Sequence, residues 1–213
     1  MIFKFFLILI FYNINIVQNS ILDSSKDCLV HNLEYSYEYL YSSNDYDSKN
    51  ANRNVYAYPL SKINDFQTIT WKFIPIEEVE KKFKSFIPKN RSYYFIKSGK
   101  YENEYLCGFN LYNKISPARY LVKIIKINHA GLILYFNCFW NIESINTNQI
   151  LPKQFIYRIE NMFYKGPMYA SSFIFNVGWY KRSIFVWGRE ENSQSKKSKW
   201  IIDCTSGEFM YSK

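Results

Sequence analysis

One short phrase occurs three times along this chain, and it limits the fold more than any other feature. Glu38-Tyr39-Leu40 is followed by Arg53, the alternating run Val55-Tyr56-Ala57-Tyr58 and Trp71-Lys72-Phe73. Glu104-Tyr105-Leu106 leads in the same way to Arg119, Leu121-Val122-Lys123-Ile124 and Trp140-Asn141-Ile142. The third version begins at Met168-Tyr169, with Gly166-Pro167 where the Glu would stand, and continues to Arg182, Ile184-Phe185-Val186-Trp187 and Trp200-Ile201-Ile202. The first two versions align without a gap from Val30 on Ile96, through Tyr35 on Tyr101, to Arg53 on Arg119. Such self-similarity marks one supersecondary unit used three times. Each unit holds about four short strand-like runs divided by polar turns, and a unit of this size cannot bury its own aromatic face. Three units closing on one another give a barrel without exposed edges.

Composition agrees with strands. Aromatic residues make up 20% of the 213 residues, including 20 Tyr and 18 Phe, and aromatic side chains favour pleated, half-buried surfaces. The length suits one well-cored domain, so an all-β fold over 21–204 is expected, with units at 30–75, 94–144 and 155–204. Residues 1–20 read as a secretory signal: Lys4 gives a positive start, and Phe5 to Tyr12 is an apolar run of the right length but too short to span a membrane. No other stretch is apolar for long enough to anchor the chain, and residues 205–213 are expected to form a flexible tail.

The four cysteines, Cys28, Cys107, Cys138 and Cys204, form an even set, which in an exported chain implies two disulfides. With no Cys-x-x-Cys motif and only His31 and His129 as histidines, a zinc site lacks ligands. No metal or other cofactor is expected. The net charge of +9 favours extracellular anionic partners such as sulfated glycans, acidic lipid surfaces or acidic proteins. Export argues against nucleic acid as the partner.

Three polar segments stand out where the units differ. Ser42 to Asn54 is Ser, Asn, Asp and Lys with almost nothing apolar, which is loop chemistry and predicts a long exposed hairpin. Between the first and second units, Ile76 to Ser92 places Glu77, Glu78 and Glu80 each four residues before a Lys, a helical spacing. One or two helical turns are expected there, ending near Pro88. Asn90-Arg91-Ser92 is an N-glycosylation acceptor. Glu190 to Lys199 is a third polar tip, rich in Ser and Lys.

The Glu-Tyr-Leu, Arg and Trp pattern resembles the β-trefoil superfamily over about residues 28–204. That resemblance implies a six-stranded barrel from the first and fourth strands of each unit, capped by hairpins from the middle two. Asn32-Leu33-Glu34-Tyr35 with Tyr39-Leu40, Arg53-Asn54-Val55-Tyr56 and Trp140-Asn141-Ile142 are similar to secreted insect trefoil proteins. Those include the carboxyl-terminal domain of low-molecular-weight haemolymph lipoproteins and salivary trefoil proteins. The Gln-x-Trp of ricin-type lectins is absent, since Ile69, Cys138 and Ser198 stand two residues before the three tryptophans. Barrel closure implies that the first strand lies beside the last, and hence that Cys28 bonds Cys204. The same resemblance makes the first and fourth strands of the second unit neighbours, which pairs Cys107 with Cys138.

Arg53, Arg119 and Arg182 invite a reading as three equivalent anion sites, and Glu38 and Glu104 as paired carboxylates. Their repetition favours a folding role: an Arg opening each hairpin strand stacks on aromatic rings and binds loop carbonyls. Trp71, Trp140 and Trp200 are expected in the core. Cys28 with His31 could suggest a thiol and base, but a disulfide for Cys28 is the better reading. No phosphate loop or nucleophile elbow is present. The expectation is a monomeric, secreted, non-enzymatic binding protein recognising a glycan, an anionic surface or a protein through its variable loops. The expected contacts are Lys81, Lys82, Lys84, Lys89, Arg91, Lys196 and Lys197. The alternative is a trefoil-type protease inhibitor presenting the basic loop 76–92.

Overall fold

In a computed structural model, the described residues are 22–79, 92–109, 119–128, 135–145, 155–174, 180–187 and 195–204. The leader, Asn90 with its neighbouring basic residues 81–91, and the tail lie outside them. Twelve strands account for most of the described chain: β1 (Cys28–Asn32), β2 (Glu38–Asp47), β3 (Asn52–Pro59), β4 (Thr70–Pro75), β5 (Tyr93–Ser98), β6 (Glu104–Phe109), β7 (Arg119–Lys126), β8 (Trp140–Ile145), β9 (Ile156–Asn161), β10 (Gly166–Ile174), β11 (Arg182–Trp187) and β12 (Lys199–Asp203). A single helical turn, α1 (Ile76–Val79), follows β4 at the start of the segment where the Glu/Lys spacing predicts a helix.

All of the pairings are antiparallel, and they close. β1 pairs β4, β4 pairs β5, β5 pairs β8, β8 pairs β9, β9 pairs β12, and β12 returns to β1. The protein is therefore an all-β closed barrel, and closure removes the unpaired edges that invite aggregation. The other strands form the hairpins β2/β3, β6/β7 and β10/β11. Their inner strands join one another, β3 to β7, β7 to β11 and β11 to β3. Each of the three joints so formed holds one of the arginines singled out in the sequence.

The alternation of the sequence fixes which side chains face inward. In β1 the buried residues are Cys28, Val30 and Asn32, and in β11 they are Arg182, Ile184 and Val186, as the period of two requires. In β5, by contrast, Tyr93, Tyr94, Phe95 and Ile96 are all buried. Tyr94 and Ile96 join the main core, and Tyr93 and Phe95 join a second cluster with Ile76, Tyr105, Ile125 and Phe139. A strand covered on both faces needs an unbroken apolar run, which is what this sequence has.

Trp71, Trp140 and Trp200 are fully buried in the main core. An indole N–H taken from water needs an acceptor, or it costs on the order of 1–3 kcal/mol. Each finds one in the same way: Trp71 Nε1 donates to the Leu40 carbonyl at 2.9 Å, Trp140 Nε1 to that of Leu106 at 2.8 Å, and Trp200 Nε1 to that of Met168 at 2.9 Å. Leu40, Leu106 and Met168 stand at the start of the three repeated versions, so each Trp is bonded to the opening of its own segment. Disulfides join Cys28 to Cys204 and Cys107 to Cys138. Cys28 is therefore no thiol nucleophile, and burial holds the His31 imidazole below its ordinary range.

The long exposed hairpin expected over Ser42 to Asn54 is present, but its sides are strand and not loop: β2 passes through an irregularity between Ser42 and Tyr46 and continues to Asp47, paired with Asn52. The consecutive buried residues Ser42 and Ser43 mark the shift of register, and the Ser42 hydroxyl donates to the Thr68 carbonyl at 2.8 Å. Backbone pairing and buried hydroxyl bonds support strand here where composition suggests loop.

Two predictions follow from this core. Trp140→Phe, which leaves the Leu106 carbonyl without its donor, is expected to cost about 1–3 kcal/mol in chemical denaturation, against about 3–5 kcal/mol for Trp140→Ala. Burial raises the phenols of Tyr39, Tyr41, Tyr56, Tyr94 and Tyr105 above their ordinary value of 10.0. The fold thus favours the neutral phenols. Their contribution is whole below about pH 10 and is lost as pH rises through the raised values. The melting temperature should fall in that window, in step with tyrosinate absorbance.

Candidate functional site

The repeated arginines are placed first by their backbone and then by their partners. Arg182, at the start of β11, donates from Nε to Glu38 Oε2 at 2.8 Å and from Nη2 to Oε1 at 3.0 Å. Its Nη1 donates to the carbonyls of Ser171 and Ser172, both at 2.9 Å, and its guanidinium lies 3.6 Å from the centre of the Tyr35 ring. Arg53 repeats the arrangement one joint away. Its Nε donates to Glu104 Oε2 at 2.7 Å, its Nη1 donates to the Asn44 carbonyl at 2.9 Å, and it stacks 3.7 Å over Tyr101. Both pairs are largely buried, and each ties one hairpin to the next. The stacking and carbonyl contacts agree with the sequence reading, whereas the Arg–Glu partnership between units leaves no trace in spacing along the chain. Removing one member of such a pair strands the other without compensation. Arg182→Met is expected to lose about 3 kcal/mol in denaturant titrations, more than Lys26→Met on the exposed Lys26–Asp23 pair.

A cleft of about 250 Å³ opens beside the first hairpin. Tyr41 on β2 and Tyr58 on β3 wall it, with ring centres 5.1 Å apart. These two residues sit diagonally across the hairpin, because Tyr39 faces Tyr58 and Tyr41 faces Tyr56, a placement within reach of large rings. Asp45, Asp65, Lys62 and Lys181 bring charge to the rim. Asp65 is held twice: Oδ1 caps the 3-10 turn at Phe66–Ile69 by accepting from Gln67 N at 3.0 Å, and Oδ2 meets Lys100 Nζ at 2.8 Å. The bond to Lys100 keeps its carboxyl below the usual range and raises the lysine in return. Asp45 accepts from the Ser43 hydroxyl at 3.0 Å and lies 3.9 Å from Lys181 Nζ. Asn44, also lining the cleft, is fixed by Lys100 Nζ at 3.0 Å and the Tyr101 hydroxyl at 2.6 Å.

This is binding chemistry. Two aromatic faces, two carboxylates, two ammonium groups and several amides offer both donors and acceptors around an apolar wall. Among the described residues no group of three His, Cys, Asp or Glu side chains converges. Of the basic residues expected to make contacts, Lys81, Lys82, Lys84, Lys89 and Arg91 lie outside the described residues. Lys196 is exposed on the turn before β12, and Lys197 beside it donates from Nζ to the Ser172 hydroxyl at 2.6 Å; neither lines the cleft. The variable segment Ser42 to Asn52 does contribute, through Ser43, Asn44 and Asp45. Lys62, Asn64 and Asp65 had no signal in the sequence beyond their polarity between Tyr58 and Trp71.

No family model and no curated protein matches the chain. Solved structures do. The S. cerevisiae protein O-mannosyltransferase Pmt1-Pmt2 complex bound to the sugar donor aligns with a TM-score of 0.58 at 11% identity, over 85% of this chain and 25% of that one. A Caenorhabditis elegans protein described as of unknown function gives 0.57 at 12% identity, over 87% and 97%. The SDF2-like protein from Arabidopsis thaliana gives 0.55 at 9% identity, over 83% and 92%. The likeness is one of fold. This chain spans about a quarter of the mannosyltransferase chain but most of the other two.

Proposed function

We propose that this chain is an exported β-trefoil that binds a neutral saccharide in the Tyr41–Tyr58 cleft and leaves it chemically unchanged. The trefoil reading is supported by the ring of strand pairings, the three mutually paired hairpins and the recurrence of one Trp-to-carbonyl bond. Export is supported by two disulfides, which persist in oxidising compartments, and by the leader-like residues 1–20. No helix among the described residues is long and apolar enough to cross a membrane. The likeness to a sugar-donor-bound mannosyltransferase complex gives the saccharide reading a context.

The observation that carries the reading is the balance of the cleft. A sulfated or acidic chain needs an excess of cations, but here Asp45 and Asp65 stand beside Lys62 and Lys181. Sugar hydroxyls both donate and accept, and the C–H face of a pyranose packs on a tyrosine ring, so a neutral saccharide uses every group present. Asp65 is held ionised by Lys100, which suits a fixed acceptor and opposes a role as general acid.

A glycan array followed by calorimetry on the hits tests this. Neutral glycans are expected to be retained with little change between low and physiological salt. Tyr58→Ala and Asp65→Asn should each weaken binding about tenfold or more, the scale of a charged hydrogen bond or a stacked ring. Retention of anionic glycans alone, or full affinity in both variants, would sink the proposal.

A further inference from the structure

We propose that the joint between the second and third hairpins is a second binding site, specific for a carboxylate group, formed by Arg119 and Trp187. Arg119 and Trp187 face each other where β7 pairs with β11. The guanidinium lies 4.2 Å from the indole ring centre and 6.0 Å from that of Phe185. Tyr169 packs on the indole with its ring centre 5.0 Å from that of Trp187. Arg119 Nε and Trp187 Nε1 are both covered from solvent, and neither has a hydrogen-bond acceptor. Covered donors in folded proteins almost always have partners, and these two belong to one contacting arginine–indole pair.

The other two joints show what belongs there. Arg53 is met by Glu104 and Arg182 by Glu38, and both glutamates open the second strand of a hairpin unit. The matching position for Arg119 is Gly166, the first residue of β10, so among the described residues no glutamate stands at the third joint as Glu104 and Glu38 stand at the other two. The aromatic partner has moved as well. Tyr35 and Tyr101 stack on the other two arginines. Tyr164 corresponds to Tyr35, since its amide donates to Asn161 Oδ1 as that of Tyr35 donates to Asn32 Oδ1. Yet Tyr164 stacks on Tyr120 at 3.9 Å, which leaves Arg119 on the indole. A ligand carboxylate suits this arginine–indole pair better than a spherical anion. The guanidinium fork matches two coplanar oxygens, as Glu38 shows on Arg182, and both Arg119 and Trp187 remain partly exposed as residues. The site is separate from the saccharide cleft and does not depend on it.

The test follows the indole N–H resonances of isotope-labelled full-length protein, with Trp187 assigned by Trp187→Phe. The protein is titrated with sodium glucuronate and with N-acetylglutamate, and with glucose as the uncharged control. The Trp187 resonance should move saturably with at least one of the acids and not with glucose. Response to glucuronate alone assigns the site to acidic sugars; response to N-acetylglutamate as well assigns it to carboxylates in general. Arg119→Gln should weaken the response about tenfold or more. Gly166 is not in the left-handed region, so the backbone admits Gly166→Glu, which should fill the site and abolish the response while raising the melting temperature. Tyr58→Ala should leave the response unchanged, which separates this result from that for the saccharide cleft. The proposal is overturned if neither acid moves Trp187, if Arg119→Gln responds as strongly as the wild type, or if folded Gly166→Glu still binds.

Discussion

Three indole N–H groups, each bonded to a carbonyl about thirty residues earlier in the chain, set the terms for the rest of the molecule. A tryptophan is the largest apolar body available to a core, but its nitrogen must be satisfied when it is buried. Tying that nitrogen to the strand opening the same segment fixes the register between a segment's start and its end. With the register fixed, the strands between pair as the three hairpins. The barrel closes because every segment is measured by the same bond.

Above this core the joints between hairpins divide the molecule differently. At two of them the arginine is saturated by a carboxylate, backbone carbonyls and a tyrosine face. The cleft beside the first hairpin is tied to one of these joints through Asn44, whose carbonyl is bound by Arg53 and whose side chain is bound by Lys100 and Tyr101. At the third joint the same backbone carries a different set of side chains. Symmetry of fold with asymmetry of chemistry is how one architecture can hold unlike ligands at related places.

Much of this was legible in the sequence. The phrase from Glu38 to Trp71, read three times, contains the strand-like runs and the place of each tryptophan, which follow from periodicity and from the need to bury aromatic faces. The pairing of Cys28 with Cys204 came from the barrel closure that the resemblance implies. The cleft was not legible, because it brings Tyr41 together with Asp65 and Lys181, and no local pattern states that distance. The polar run from Ser42 pointed to the exposed hairpin but not to its strand character, for a related reason. Its hydroxyls and amides are satisfied by strand pairing and by the Thr68 carbonyl, which a composition count cannot see. The Arg119 site lay between these cases. Gly166 was visible as the missing glutamate, but that Arg119 Nε stands without an acceptor emerged only when the other two pairs were seen.

The bond between Cys28 and Cys204 joins the first strand to the last, so the backbone between them is covalently a ring. A protease cutting once anywhere in that ring, including the basic insertion after α1, opens it without releasing a fragment. The two new ends stay tethered to the same barrel, and the main core keeps its covalent unity. A single cleavage inside that ring is then a change of connectivity and not a loss of mass. Release of a piece requires a second cut or a reductant.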